Sequence, residues 1–302
     1  MDAETQAKVD GLMQVVAATM AKRDRGETLA PLERVVLAAT QNDPDRIPTG
    51  TFFTDAVANH YGYTCSRVEN DPELHTDVIL RWYRDFDMEF VCEGIDTMTT
   101  EIHALGLVER NRPENVPADI VARRFDDLSD DEMLRHWERA VRAFNPEADG
   151  RLPLRLELYE RLMEKTALLG YPVIAAPSST FAQTVQAMGY RRAVLLMRRR
   201  PGVFHQAMEL QLEANIEWCR TIASRGVHGF ISIDAWNSVP HFRPDELYEF
   251  EKPYVERLIA SLFPAPCIHF YWGLRLCGPA DVERGVDGSS SWKRAPTRAR
   301  SA

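Results

Sequence analysis

An aspartate that closes an apolar run is well placed for chemistry, because strand ends bring polar side chains to the rim of a buried sheet. Asp234 directly follows Ile231-Ser232-Ile233. There it can act as a hydrogen-bond acceptor or general base, or cap the following loop through backbone N–H groups. His269 lies in a second such run, Cys267 to Tyr271, where an imidazole can ligate a metal or move a proton, or sit buried as a structural hydrogen-bonding group. Glu101 and His103 are two residues apart. On a strand they would share a face and on a helix they would not, so at most one is expected in a site. Asp55 follows the run Ile47 to Phe53 and can meet a substrate or cap the helix whose apolar pattern starts at Ala56. Trp236 and His241 flank the loop after Asp234 and can line an apolar pocket or cover its rim.

These residues need elements to position them, and the chain supplies a repeating kind. Residues 3–24 place Val9, Leu12, Met13, Val16 and Met20 at helical spacing. A helix from Pro31 to Gln41 precedes an apolar strand from Ile47 to Phe53. Asp71-Pro72 opens a helix through Phe86, and Met88 to Cys92 reads as the next strand. Residues 107–125 contain two prolines and suit an irregular hairpin. A polar helix is expected over Asp126 to Phe144, and an amphipathic one from Leu154 stops at Gly170 before the strand Tyr171 to Pro177. The unit then recurs: helix Pro201 to Arg225, strand Gly229 to Asp234, helix Pro244 to Phe263, strand Cys267 to Tyr271. Helix, glycine, then apolar strand is the signature of βαβ units around a parallel sheet covered on both faces. The expected fold class is α/β, a TIM-type (β/α)8 barrel, in which functional residues follow the strands. No G-x-G-x-x-G follows an early strand, which counts against a dinucleotide-binding doubly wound sheet.

Composition narrows the partners. The 302 residues carry a formal charge of −9 without a long basic run, which argues against a nucleic-acid surface or an anionic membrane as partner. A small-molecule substrate or another protein is expected. No segment approaches the ~18 to 20 apolar residues of a spanning helix, and the N-terminus lacks the order of a signal peptide, so a cytoplasmic location is expected. Five scattered cysteines do not suggest a disulfide framework.

Several segments together resemble the uroporphyrinogen decarboxylase superfamily, which includes corrinoid- or cobalamin-linked methyltransferases. They are Leu32-Glu33-Arg34-Val35-Val36-Leu37-Ala38-Ala39 with Pro44-Asp45-Arg46-Ile47-Pro48, Glu101-Ile102-His103-Ala104-Leu105-Gly106, and Leu169-Gly170-Tyr171-Pro172-Val173-Ile174. Farther along come Arg200-Pro201-Gly202-Val203-Phe204-His205, the stretch Gly226 to Asp234, and Phe250-Glu251-Lys252-Pro253-Tyr254. The resemblance implies a (β/α)8 barrel. In the decarboxylases an Arg-Gln-Ala-Gly-Arg-Tyr stretch in the first barrel loop holds substrate carboxylates; here the region reads Pro48-Thr49-Gly50-Thr51-Phe52-Phe53. Both arginines are absent, and a substrate with eight carboxylates needs cationic partners. The family's central aspartate is matched by Asp96 with a one-residue gap.

In the methyltransferases a His-x-Cys and a later Cys hold zinc, which lowers the pKa of a substrate thiol. The matching residues are His269-Phe270-Tyr271, so Tyr271 replaces the cysteine. The resemblance therefore implies a methyltransferase-like member acting on a corrinoid-bound or other small methylated substrate. Asp96, Asp234 and Glu101 would be catalytic, Asp55, His103, Trp236 and His241 would bind substrate, and His269 would mark any zinc. A corrinoid protein is an implied partner. The alternatives are uroporphyrinogen decarboxylation, with Asp96 stabilising positive charge on a pyrrole, and a truncated, non-catalytic barrel.

The third reading comes from the C-terminus. Residues 1–30 are expected to form a helical extension and residues 31–272 the barrel. Residues 273–302 show no apolar periodicity and end in a basic stretch, so they read as an irregular tail. A barrel that stopped there would be incomplete, and its open strand edge would favour a homodimer.

Overall fold

The computed structural model describes residues 3–52, 55–92, 99–116, 118–234, 236, 242–262, 265 and 267–271. The chain starts with α1 (Ala3–Asp24) and α2 (Pro31–Ala39), which pack through Leu12, Val16 and Met20 against Leu29, Val36 and Leu37. Pro31 needs no N–H at the first turn, and the Glu33 carboxylate accepts the Ala30 N–H at 2.7 Å. Strand β1 (Gly50–Phe52) is shorter than the apolar run predicts. Pro48 has no N–H for a ladder, and Ile47 is 81% exposed. At Gly50 an added Cβ would overlap the Phe90 ring of the neighbouring strand.

Next come α3 (Asp55–His60), α4 (Cys65–Glu69), α5 (Pro72–Asp85) and β2 (Phe90–Cys92). As the Asp-Pro pair predicts, Asp71 caps α5, accepting the Leu74 N–H at 3.0 Å. An excursion follows, made of α6 (Thr100–Ala104), the antiparallel hairpin β3 (Val108–Asn111) with β4 (Asp119–Arg123), and α7 (Asp130–Ala143). The expected irregularity is real: the hairpin register shifts between Glu109 and Arg110. Helix α7 starts four residues later than expected, because Ser129 and Glu132 form a reciprocal capping box.

The return to the sheet is α8 (Leu152–Thr166) into β5 (Val173–Ala175). Three helices then follow in succession: α9 (Thr180–Met188), α10 (Tyr190–Arg199) and α11 (Pro201–Ala223). They lead to β6 (Gly229–Asp234), α12 (Pro244–Phe250), α13 (Lys252–Leu262) and β7 (Cys267–Tyr271). The single helix expected over 244–263 is broken at Glu251, since Pro253 cannot donate to residue 249 and its ring crowds that carbonyl.

Among the described residues the parallel sheet has five strands in the order β1-β2-β5-β6-β7. Spatial order follows chain order without reversal, as in a singly wound barrel wall and unlike a doubly wound sheet. The expected eight-stranded closure is not among the described residues, which show an open run of five. Both faces of the run are covered. Val173, Ala175 and Phe230 join the large cluster of the helix layer, whereas Cys92, Ile174, Ala176 and Ile231 form a small cluster on the other face. This two-sided burial explains the near-continuous apolar strands. No helix of the described residues is long and apolar enough to cross a membrane.

Candidate functional site

Strand β6 ends at Asp234, which is fully buried. Alternation along β6 gives Phe230 to the helix layer and Ile231 to the inner cluster, so Asp234 shares the face of Phe230. It therefore meets the start of α9. The Ser179 hydroxyl donates to Asp234 Oδ2, while the Trp236 N–H donates to Oδ1 at 2.8 Å. Ser179 is itself the N-cap of α9 and accepts the Ala182 N–H at 2.9 Å. One carboxylate thus ties the end of β6, the loop carrying Trp236 and the helix that follows β5. Of the two readings of Asp234, the cap is the one with visible bonds.

Behind this corner every residue of α9 is buried, its polar ones included. Gln211 Nε2 donates to Gln183 Oε1 at 2.5 Å and to Asn215 Oδ1 at 3.0 Å, and Asn215 Nδ2 donates to Thr180 Oγ1 at 3.1 Å. These bonds lock α9 to α11 in one register, since leaving a buried amide unpaired is costly.

Glu101 lies on α6, which turns Glu101 and His103 to different directions as a helix must. Its carboxylate is 2% exposed and receives Arg155 Nη1 at 2.9 Å and Trp218 Nε1 at 3.2 Å. The Arg155 guanidinium also lies 5.4 Å from the centre of the Trp218 ring. Glu101 is thus a buried joint between α6, α8 and α11; His103 is half-buried on the same short helix. Asp55 is the first residue of α3, the position from which the sequence offers it as a cap, and its side chain lies outside the description. Asp96 and His241 lie outside the described residues, as does the 273–302 tail.

His269 is described as backbone. It pairs with Ser232, and Tyr271 pairs with Asp234, in the β6–β7 register. No group of three or more His, Cys, Asp or Glu side chains able to hold a metal comes together among the described residues. Tyr271 stands in place of the expected cysteine, and the His269 side chain lies outside the description.

Three features escape a reading of the sequence. Glu69 gathers Arg110, Arg112 at 2.6 Å and Arg151 at 2.8 Å from the hairpin and the start of α8. His75, buried beside Arg155, Arg112 and Arg151, is pushed down to about 3, first by burial and then by those cations. Tyr190 stacks on Trp236 with ring centres 5.7 Å apart and planes at 26°. All three depend on residues far apart in the chain.

The comparisons with known proteins agree with this architecture. The family model described as uroporphyrinogen decarboxylase (URO-D) matches residues 30–278. No curated protein sequence matches. Among solved structures, a methyltransferase from Methanosarcina mazei superposes with a TM-score of 0.67 at 16% identity, over 80% of this chain and 69% of that one. At that identity the likeness is one of fold.

Proposed function

The chain belongs to the uroporphyrinogen decarboxylase family, and from that premise we propose that it is a barrel enzyme of the methyltransferase-like branch, acting on a small methylated substrate or one bound to a corrinoid. In this reading the pocket opens at the carboxyl ends of the strands, as in other α/β barrels. Asp96 is the acid that touches substrate. Asp234 and Glu101 act as positioning residues, and Asp55, His103, Trp236 and His241 are assigned to substrate binding. A corrinoid carried by a partner protein would supply the methyl-transfer chemistry.

The observation that carries the choice of branch is the commitment of cations. The first barrel segment, Pro48 to Phe53, contains none. The buried arginines near the sheet are engaged by acids of the chain itself: Arg34 by Asp45 and Glu89, Arg110 and Arg112 by Glu69, Arg155 by Glu101. A porphyrinogen with eight carboxylates requires cations to be offered to it. A small methylated substrate does not.

The test is a pair of assays on the purified full chain. Methyl transfer between a methylcorrinoid and a small acceptor or donor, with no coproporphyrinogen formed from uroporphyrinogen, is expected. Decarboxylation without methyl transfer would sink the reading.

A further inference from the structure

Helix α10 turns its arginines in different directions. Arg192 faces the segment that enters α7: its Nη1 donates to the Phe125 carbonyl at 2.7 Å, and its Nη2 to the Leu128 carbonyl at 2.9 Å and to Asp130 Oδ1 at 2.8 Å. Arg200, which ends the helix, reaches the other oxygen of Asp130. This seam lays the acidic segment 126–131 along α10 and the start of α11, and it occupies Asp130. A second row points away from the seam. Arg191, Leu195 and Arg199 recur at every fourth position, so they form one ridge about 12 Å long on the helix. All three are exposed, Leu195 at 39%. Across the seam Asp126, Asp127 and Asp131 are exposed as well. None of these two arginines and three aspartates forms a side-chain ion pair among the described residues.

A cationic ridge with an apolar centre beside an acidic turn is a self-complementary surface. Related by a two-fold axis, two such surfaces offer each other the opposite charges, which is what an isologous contact requires. Arginine is also a residue type in which protein contacts are enriched. A nucleic acid or a uniformly acidic protein would meet the three aspartates along with the arginines, so only a partner carrying both signs satisfies the whole surface. Two chains of net charge −9 repel at a distance, and a contact between them has to be local and matched in sign. We propose that this surface joins two copies of the chain, with Arg191 and Arg199 of each protomer facing Asp126, Asp127 and Asp131 of its partner and Leu195 enclosed between them. The pairs gain strength there because the contact excludes water. The contact is made by helices and a turn, not by a strand edge, and it does not depend on the reaction that the barrel carries out.

The experiment is sedimentation velocity of the full chain in low salt across a series of micromolar concentrations, where a concentration-dependent dimer is expected. Two sets of changes put like charges across the contact: Arg191→Glu with Arg199→Glu, and separately Asp126→Lys with Asp127→Lys and Asp131→Lys. Each set should weaken self-association at least about tenfold. Mixed in equal amounts, the two variants should form a heterodimer, because every altered position then meets the opposite charge. All five positions are exposed, and thermal unfolding of each variant checks that the fold is retained. Should the glutamate set unfold, Arg191→Gln with Arg199→Gln replaces it and the weakening alone is read. A parent that stays monomeric throughout the series, a dimer unchanged in either charge variant, or two folded charge variants that do not pair when mixed would overturn the proposal.

Discussion

Ser179 and Asp234 are bonded hydroxyl to carboxylate across the ends of two neighbouring strands, 55 residues apart in the chain. The bond makes the first turn of α9 and the exit of β6 a single unit. Ser179→Ala removes both the donor to Asp234 and the acceptor of the Ala182 N–H. Loss of an N-cap costs about 1 kcal/mol, and a buried carboxylate oxygen deprived of a donor about 1–3 kcal/mol more. A urea unfolding curve should show the combined loss, with Ser179→Thr close to the parent. An alanine variant as stable as the parent would remove the bond from any structural role.

Glu69 is the point where the excursion after β2 is tied to the start of α8. Its carboxylate is 9% exposed as a residue, and Arg110, Arg112 and Arg151 all converge on it. Removing one partner of a buried ion pair typically costs about 3–5 kcal/mol, because a charge stays buried without compensation. Glu69→Ala should fall in or above that range by denaturant titration. Arg151→Ala should cost less, since Arg151 is the most exposed of the three arginines.

Much of the fold was legible in local pattern, and the misses have physical causes. Helices with an N-cap and a proline at the first turn, such as α5, announce themselves. Strand β6 was readable residue by residue, because a parallel strand buried on both faces is largely apolar. Helix α9 has no counterpart among the elements expected from the sequence, since Thr180, Gln183, Thr184 and Gln186 interrupt any apolar stripe. Two of them are met from α11, roughly 30 residues away, where Gln211 bonds Gln183 and Asn215 bonds Thr180. The Glu101 position shows the same limit. A short motif marked it as chemical, but the partners that define its role, Arg155 and Trp218, lie 54 and 117 residues farther on.

Acid should weaken the protein through His75 before the carboxylates protonate. Its pKa is pushed down to about 3 in the folded chain against about 6.5 when unfolded. The unfolded chain therefore binds this proton more readily, and stability present above about pH 6.5 is lost as pH falls towards 3. By pH 5 the loss is about 2 kcal/mol, from 1.5 pH units at about 1.4 kcal/mol each. His75→Gln keeps a polar side chain without the titration. The parent should lose about 2 kcal/mol more than this variant between pH 7 and pH 5, measured by urea unfolding at both values, and equal losses would assign the acid sensitivity elsewhere.

Arg34 shows why a segment that carries the family resemblance need not carry chemistry. Its guanidinium bonds Asp45 through Nε at 2.6 Å and Nη2 at 2.8 Å, reaches Glu89 through Nη1, and donates to the Leu29 carbonyl at 2.8 Å. Glu89 also accepts the Thr49 N–H at 3.0 Å, and the Glu89 N–H returns to the Thr49 carbonyl at 2.8 Å. One arginine on α2 thus sets the entry of both β1 and β2. The Arg34 side-chain bond holds Asp45 well below the usual carboxylate range, so this contribution is present above about pH 4 and is lost as pH falls below it. Arg34→Ala should cost about 3 kcal/mol, because Glu89, 1% exposed, loses its buried cation and is left to the half-exposed Arg46 at 2.9 Å. The double change Arg34→Leu with Glu89→Leu should be less damaging than Arg34→Ala alone, since no buried charge is then left unpaired. A double variant less stable than the single one would mean that the cluster stabilises the strand entries beyond avoiding a stranded charge.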